Sequence, residues 1–269
     1  MAPAAAERLA VARRLAGEAG AILREGAGRA HASLTKRTVV DLVTEYDKRA
    51  EAHIVSALRA AFADDEIVAE EGGGQPGASG LRWLVDPLDG TTNFSHGLPF
   101  FCVSIAVEDA QGPLCGVVAA PALGWQFFGA RGQGAFLWQP ASDLEPRRLA
   151  VSSVDNLGAS LLATGFPYDT ASSPRNNLAE WTRLYPRTQG LRRVGAAALD
   201  LCMVAAGWMD GYWELKIKPW DVAAGALFVV EAGGRVSGYG GQPFRSDAGE
   251  ILATNGKLHD VLMRTLAEE

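Results

Sequence analysis

The sequence predicts a layered α/β (α+β) sandwich, in which an antiparallel sheet with helices precedes a smaller mixed sheet set between helices. An amphipathic helical pattern opens the chain, short apolar runs at hairpin spacing fill residues 81–138, and strand-like and helix-like segments alternate after residue 145. A length of 269 residues with 48% hydrophobic content suffices for one large domain or two intimate subdomains.

Leu9, Ala12, Leu15, Ala16, Ala19, Ile22 and Leu23 recur at helical spacing between charged residues, predicting a helix over 5–25. A second helix is expected to start near Thr44, because Thr44 and Asp47 have capping-box spacing and Ile54, Leu58, Ala61 and Phe62 continue a buried stripe. Asp47 then lies near a helix N-terminus. Residues 66–69 read as a short strand. The GGGQPGASG segment at 72–80 is too small and polar to pack and reads as a mobile surface loop. Apolar runs at 81–85, 101–107, 114–119, 125–130 and 135–138, divided by Gly, Pro and polar turns, predict a largely antiparallel sheet. Past the polar stretch 141–148, strands at 160–164, 191–194, 211–215, 235–237 and 251–254 alternate with helices at 177–185, 197–208, 222–232 and 257–267. This change of texture predicts subdomains over 1–145 and 146–269 that share an extensive contact.

The charge balance of 25 basic against 31 acidic residues, with no Lys or Arg run, argues against nucleic-acid and membrane partners and favours a small molecule. Cys102, Cys115 and Cys202 sit in apolar stretches without CxxC pairing, as expected of buried thiols in a reducing compartment. Glu7, Arg8, Arg13, Arg14 and Glu18 interrupt the Ala-rich N-terminus too often for a signal peptide or membrane span, so cytoplasmic residence is expected. His31, His53, His96 and His259 are scattered outside any zinc-ligand spacing.

Chemistry concentrates in the segment from Trp83 to Phe94, where an apolar strand runs into two aspartates and a Gly-Thr-Thr turn. Asp86 and Asp89, three apart around the stiff Pro87, can converge with the Leu88 carbonyl on a hard cation such as Mg²⁺. Gly90 allows close backbone approach, and the amides of Gly90, Thr91 and Thr92 can face a phosphate. As a bare pattern the segment fits a capped turn equally well. Further acidic clusters border apolar elements: Asp41, Glu45 and Asp47; Glu70 and Glu71; and Asp221 after Pro219-Trp220. Asp221 taken alone also fits a helix cap. Trp83 and Trp220 read as packing anchors for the neighbouring turns.

These blocks, in this order, resemble the inositol monophosphatase family: an acidic pair after DLVT, the Glu70-Glu71 pair, WLVDPLDGTTNF and PWDVAAG. The resemblance covers nearly the whole chain and implies the family's αβαβα sandwich. It implies two or three Mg²⁺ ions: Glu70, Asp86 and the Leu88 carbonyl hold one, Asp86, Asp89 and Asp221 a second, and Glu70 helps place a third. It further implies a catalytic set of Asp47, Glu70 and Thr91, in which Thr91 and Asp47 orient and deprotonate a metal-held water for direct attack. Gly90 and Thr91 would hold the phosphoryl group, and Gly195, Ala196, Ala197 and Glu214 would meet the hydroxyls of a small phosphorylated polyol, foremost myo-inositol monophosphate. Animal members carry threonine where this chain has Ala196, which removes one polar contact. Lys36 either approaches the phosphate or is solvated, and at least one of Arg192 and Arg193, which precede the pocket turn, reads as a surface or interface ion-pair partner rather than a substrate ligand. Members of the wider superfamily act on histidinol phosphate, fructose bisphosphate or phosphoadenosine phosphate; the VGAAALDLCMVAAG segment is closer to the inositol phosphatases. Some bacterial members contact transcription machinery or RNA, which leaves a regulatory binding protein as the alternative. A homodimer and inhibition by Li⁺ are implied by the resemblance alone.

Overall fold

A computed structural model describes residues 3–27, 34–35 and 42–268. Helix α1 (Pro3–Gly26) buries Ala12, Leu15, Ala16, Ala19 and Leu23, the stripe its periodicity predicts. Strands β1 (Leu34–Thr35) and β2 (Leu42–Val43) pair antiparallel. Helix α2 (Glu45–Ala61) begins at the expected capping box: the Thr44 hydroxyl accepts from the Tyr46 amide at 3.2 Å, and Asp47 Oδ2 accepts from the Thr44 amide at 2.9 Å.

Strand β3 (Glu66–Ala69) runs parallel to β4 (Arg82–Asp89), and the short helix α3 (Thr91–Ser95) follows. Strands β5 (Cys102–Asp109), β6 (Gly112–Ala120), β7 (Trp125–Ala130), β8 (Gly134–Trp138) and β9 (Arg147–Arg148) then add in order as antiparallel neighbours, completing a seven-stranded sheet. The sheet thus extends a few residues past 145. The second half supplies β10 (Leu161–Thr164), α4 (Leu178–Leu184), β11 (Gly190–Arg192), α5 (Ala197–Ala205), β12 (Gly211–Leu215), α6 (Pro219–Glu231), β13 (Arg235–Ser237), β14 (Glu250–Thr254) and α7 (His259–Ala267). Its sheet has the order β11-β10-β12-β14-β13, with β10 parallel to both neighbours and β14 antiparallel to both.

Alternation along the strands explains the layering, because successive side chains serve opposite faces. On one face of the large sheet, Trp83, Val85, Val103, Ile105 and Val117 pack against α1 and α2. On the other, Leu84, Ala106, Val118 and Phe127 meet Leu201, Ala224 and Phe228 of α5 and α6, which also cover Tyr212, Ile251 and Ala253 of the small sheet. The outer face of that sheet packs Leu162, Trp213 and Leu252 against Leu184, Leu262 and Leu266 of α4 and α7. The order is therefore αβαβα, as expected. Helices α5 and α6 are apolar nearly all round because both their faces meet a sheet.

Two local features differ from expectation. Strand β4 does not stop before Asp86 but runs through Asp89, with a register shift against β5 between these residues, where Pro87 has no amide to give the ladder. Segment 72–80, expected to be a mobile loop, is tied down instead. Ile67 bridges Gln75, the amides of Ala78 and Ser79 donate to the Asp64 carbonyl at 2.8 and 3.0 Å, and the Ser79 hydroxyl donates to Asp65 at 2.7 Å. Its main-chain groups find partners that composition does not reveal. All three cysteines are buried and free. No helix among the described residues is long and apolar enough to cross a membrane.

Candidate active site

The β4 bulge turns the chain into the Gly90 turn. Asp86 Oδ1 accepts from the Leu88 amide at 2.9 Å, closing the segment over Pro87. Gly90 has φ +89°, and a Cβ there would stand 2.8 Å from the Phe100 carbonyl oxygen and 3.3 Å from that of Gly195, so only glycine fits. Asn93 Nδ2 donates to the carbonyls of Phe100 at 2.7 Å and Val194 at 2.9 Å. The Gly90 turn and the Gly195 turn, about a hundred residues apart, thereby form one piece of structure.

Four acids gather beside it. Glu70 follows β3, its amide held by the Val85 carbonyl at 3.1 Å and its side chain hydrogen-bonded to Asp86. Asp89 Oδ2 accepts from the Ala198 amide at 2.8 Å, in the first turn of α5, where the helix dipole favours a negative charge. Asp221 occupies the matching place on α6 and accepts from the Lys218 amide at 3.0 Å. Burial drives the Asp86 carboxyl well above its ordinary range, and the charges of Glu70, Asp89 and Asp221 push it further. Asp221 is likewise raised by burial, then by Asp89 and Glu70. Asp89 rises to about 6 through burial, against the pull of the Ala198 and Ala197 amides. Among the described residues no three His, Cys, Asp or Glu side chains already converge as a ligand set. Asp86, Asp89 and Asp221 each accept from a main-chain amide.

Thr91 and Asp47 adjoin this group. The Thr91 hydroxyl lies 3.0 Å from the Leu88 carbonyl oxygen and 3.3 Å from Asp47 Oδ1, two acceptors for its one proton. Asp47 Oδ2 also takes the Thr44 hydroxyl. Burial raises Asp47 to about 6, even though the Thr44 bonds favour its ionised form.

On the opposite side, Ala196 caps α5 after the Gly195 turn, with Ala197 its first helical residue. Glu214 is half-buried rather than an open surface acid, and Tyr212, two residues before it on the same strand face, donates its hydroxyl to Oε2. Burial lifts Glu214 to about 7, the Tyr212 bond opposes this, Asp89 adds to it and Arg193 opposes it. Arg192 and Arg193 are both exposed; Arg193 lends its charge to Glu214, and Arg192 donates to the Leu191 carbonyl at 3.1 Å. Trp83 anchors its turn by donating to Asp65 at 2.9 Å. His53 pairs with Glu18 on the surface, His96 ends α3 and His259 is buried. His31, Lys36 and Asp41 lie outside the described residues.

Sequence reading passed over Asn93, Tyr212, Asp200 and Glu51. Asn93 lies inside the Gly-Thr-Thr-Asn-Phe turn, and Tyr212 shares strand parity with Glu214, so both carried a signal. Asp200 is buried in α5 with Oδ1 unpartnered, raised by burial and by Glu214 and Asp89. Its signal was an acid inside an otherwise apolar helix.

The model of the "Inositol monophosphatase family" matches residues 4–269. Inositol-1-monophosphatase of Synechocystis is 46% identical over 229 residues, covering 84% of this chain and 77% of the relative. Nus factor SuhB of Pseudomonas aeruginosa is 42% identical over 239 residues, covering 87% and 86%. The solved inositol monophosphatase of Anabaena superposes with a TM-score of 0.84 at 42% identity, covering 97% of this chain and 95% of that one. The layered αβαβα sandwich is the architecture this chain shares with that solved phosphatase. The chain belongs to the inositol monophosphatase family.

Proposed function

We propose that this protein hydrolyses a small phosphorylated polyol, foremost myo-inositol monophosphate to inositol and phosphate, in a reaction that depends on Mg²⁺. The observation that carries the reading is the gathering of a buried Asp86 with half-buried Glu70, Asp89 and Asp221 in one neighbourhood, where each raised acid has other acids as its leading charged neighbours. An all-oxygen donor set whose anions repel one another fits a hard divalent cation. Glu70, Asp86, the Leu88 carbonyl, Asp89 and Asp221 would hold two ions, with Glu70 helping to place a third. When bound, the ions supply charge against the phosphoryl oxygens and leaving alkoxide and lower the pKa of an attacking water.

The remaining work falls to the chain. Thr91, between Leu88 O and Asp47, passes its proton to Asp47 Oδ1 as it takes one from the water, and Asp47, raised to about 6, is a suitable acceptor near neutral pH. The amides of Gly90 and Thr91 hold the phosphoryl group, and Gly195, Ala196, Ala197 and Glu214 orient the polyol. Glu214 accepts ring hydroxyls on the oxygen not taken by Tyr212. Residues 1–145 carry most of the ligands and 146–269 the substrate wall and Asp221, as two subdomains of a cytoplasmic, Li⁺-sensitive homodimer.

A phosphate-release screen over inositol, glycerol, sugar, histidinol and nucleotide phosphates, with Mg²⁺ varied and Li⁺ added, tests this reading. Inositol phosphate should dominate, and equal rates without divalent ions would sink it. The likeness to the protein named Nus factor SuhB supports a second, regulatory role. Tight capture of transcription components by a protein inactive on every ester would reverse the ranking.

A further inference from the structure

Glu51 lies one helical turn beyond Asp47 on the same face of α2, buried among Ala50, Ile54, Val55 and Leu58. A carboxylate in an apolar stripe is costly unless its oxygens are satisfied. Here Oε2 accepts from the Glu71 amide at 2.7 Å and Oε1 from the Gly73 amide at 2.9 Å. Two turns further along the helix, Arg59 donates to the carbonyls of Gly73 and Gly74 at 2.8 and 3.0 Å. A Cβ on Gly73 would stand 2.8 Å from Glu51 Oε1, so the missing side chain is what admits this bond. A cavity of about 750 Å³ lined by Lys48, Glu51, Arg59, Glu71 and Gly73 borders the turn, so on that side polar bonds rather than packing hold it.

Glu70 directly precedes the gripped residues, and its own amide is fixed to β4 through Val85. The turn carrying Glu70 is thus clamped between β4 and α2, the helix whose first turn carries Asp47. Resting on the reading of Glu70 as a metal-site residue, we propose that Glu51 is a positioning residue for the catalytic centre. Its oxygens are spent on main-chain amides, and through them it aims Glu70 at Asp86 and couples Glu70 to Asp47. Divalent-ion affinity then depends on a clasp formed by Glu51 and Arg59.

The full-length variants Glu51→Gln, Glu51→Ala and Arg59→Met test this by two measurements: amide hydrogen exchange at Glu71 and Gly73 without metal, and Mg²⁺ binding by calorimetry. Exchange at both amides should quicken by about tenfold or more in Glu51→Ala and by less in Glu51→Gln, which keeps one acceptor oxygen. Mg²⁺ affinity should fall about tenfold in Glu51→Ala, with Glu51→Gln between it and the wild type. Arg59→Met is the sharper case, because its side chain is exposed and unfolding is no concern. Losing a cation would tighten Mg²⁺ binding by charge alone, whereas loss of the clasp weakens it, here by about threefold. Tighter binding in Arg59→Met overturns the inference, as do variants that exchange faster yet bind Mg²⁺ like the wild type. A wild-type protein that binds no Mg²⁺ overturns the metal reading beneath it and takes this inference with it.

Discussion

The starts of α2 and α6 share a local design and differ in what surrounds them. Each places an aspartate in the third helical position, Asp47 or Asp221, and each aspartate accepts from the amide of its N-cap residue, at 2.9 and 3.0 Å. Around Asp47 stand hydroxyls, those of Thr44 and Thr91. Around Asp221 stand acids, Asp89 and Glu70. A helix cap is thus a way of pointing a carboxylate, and its neighbours set the charge and hydrogen-bonding environment that carboxylate meets.

The comparison breaks most visibly at Asp221. Asp221→Asn keeps a capping oxygen but removes the charge, so phosphate release should fall by about a thousandfold and calorimetric Mg²⁺ affinity should drop with it. Retained Mg²⁺ affinity would place Asp221 with the caps rather than the ligands. Asp47→Asn should lower kcat by about a hundredfold while Mg²⁺ affinity stays within about twofold, because Asp47 bonds hydroxyls rather than joining the acidic cluster. Thr91→Ala should depress kcat by about tenfold with KM for the ester unchanged; an effect confined to KM would remove the hydroxyl from proton transfer.

Smaller effects sharpen the contrast. Thr44→Ala removes the α2 cap and should cost about 1 kcal/mol in denaturant unfolding, along with the hydroxyl that Asp47 accepts. A buried group remote from both helix starts supplies the control. His259 is enclosed between the hydroxyls of Ser237 at 2.8 Å and Thr254 at 3.1 Å, and burial lowers it to about 4 from 6.5. The unfolded chain therefore binds the proton more readily, so the stability His259 contributes is complete above pH 6.5 and is lost as pH falls towards 4. Tm measured across that range should decline, and His259→Gln should flatten the slope.

Much of this was legible in one dimension. The Thr44–Asp47 box, the stripe of α1 and the strand-to-turn passage from Trp83 to Phe94 are local patterns, and the structure keeps each. Segment 72–80 was misread because its order comes from Asp64, Asp65, Ile67 and Glu51, partners that composition cannot name. Glu51 was passed over because an acid in an amphipathic helix reads as solvated until its burial is known, whereas Asp200 carried a signal as the one acid of an apolar helix.

The sequence by itself determined which residues are acids, which segments bury a face and where helices and strands start, since these follow from side-chain chemistry and periodicity over a few residues. Only tertiary structure decided that Asn93 would tie Phe100 to Val194, that Asp89 would cap a helix more than a hundred residues away, and that Asp221 would settle among Asp89 and Glu70. Those contacts arise because α5 and α6 are apolar nearly all round and must lie between the two sheets, and that enclosure brings the acids of both halves into one neighbourhood.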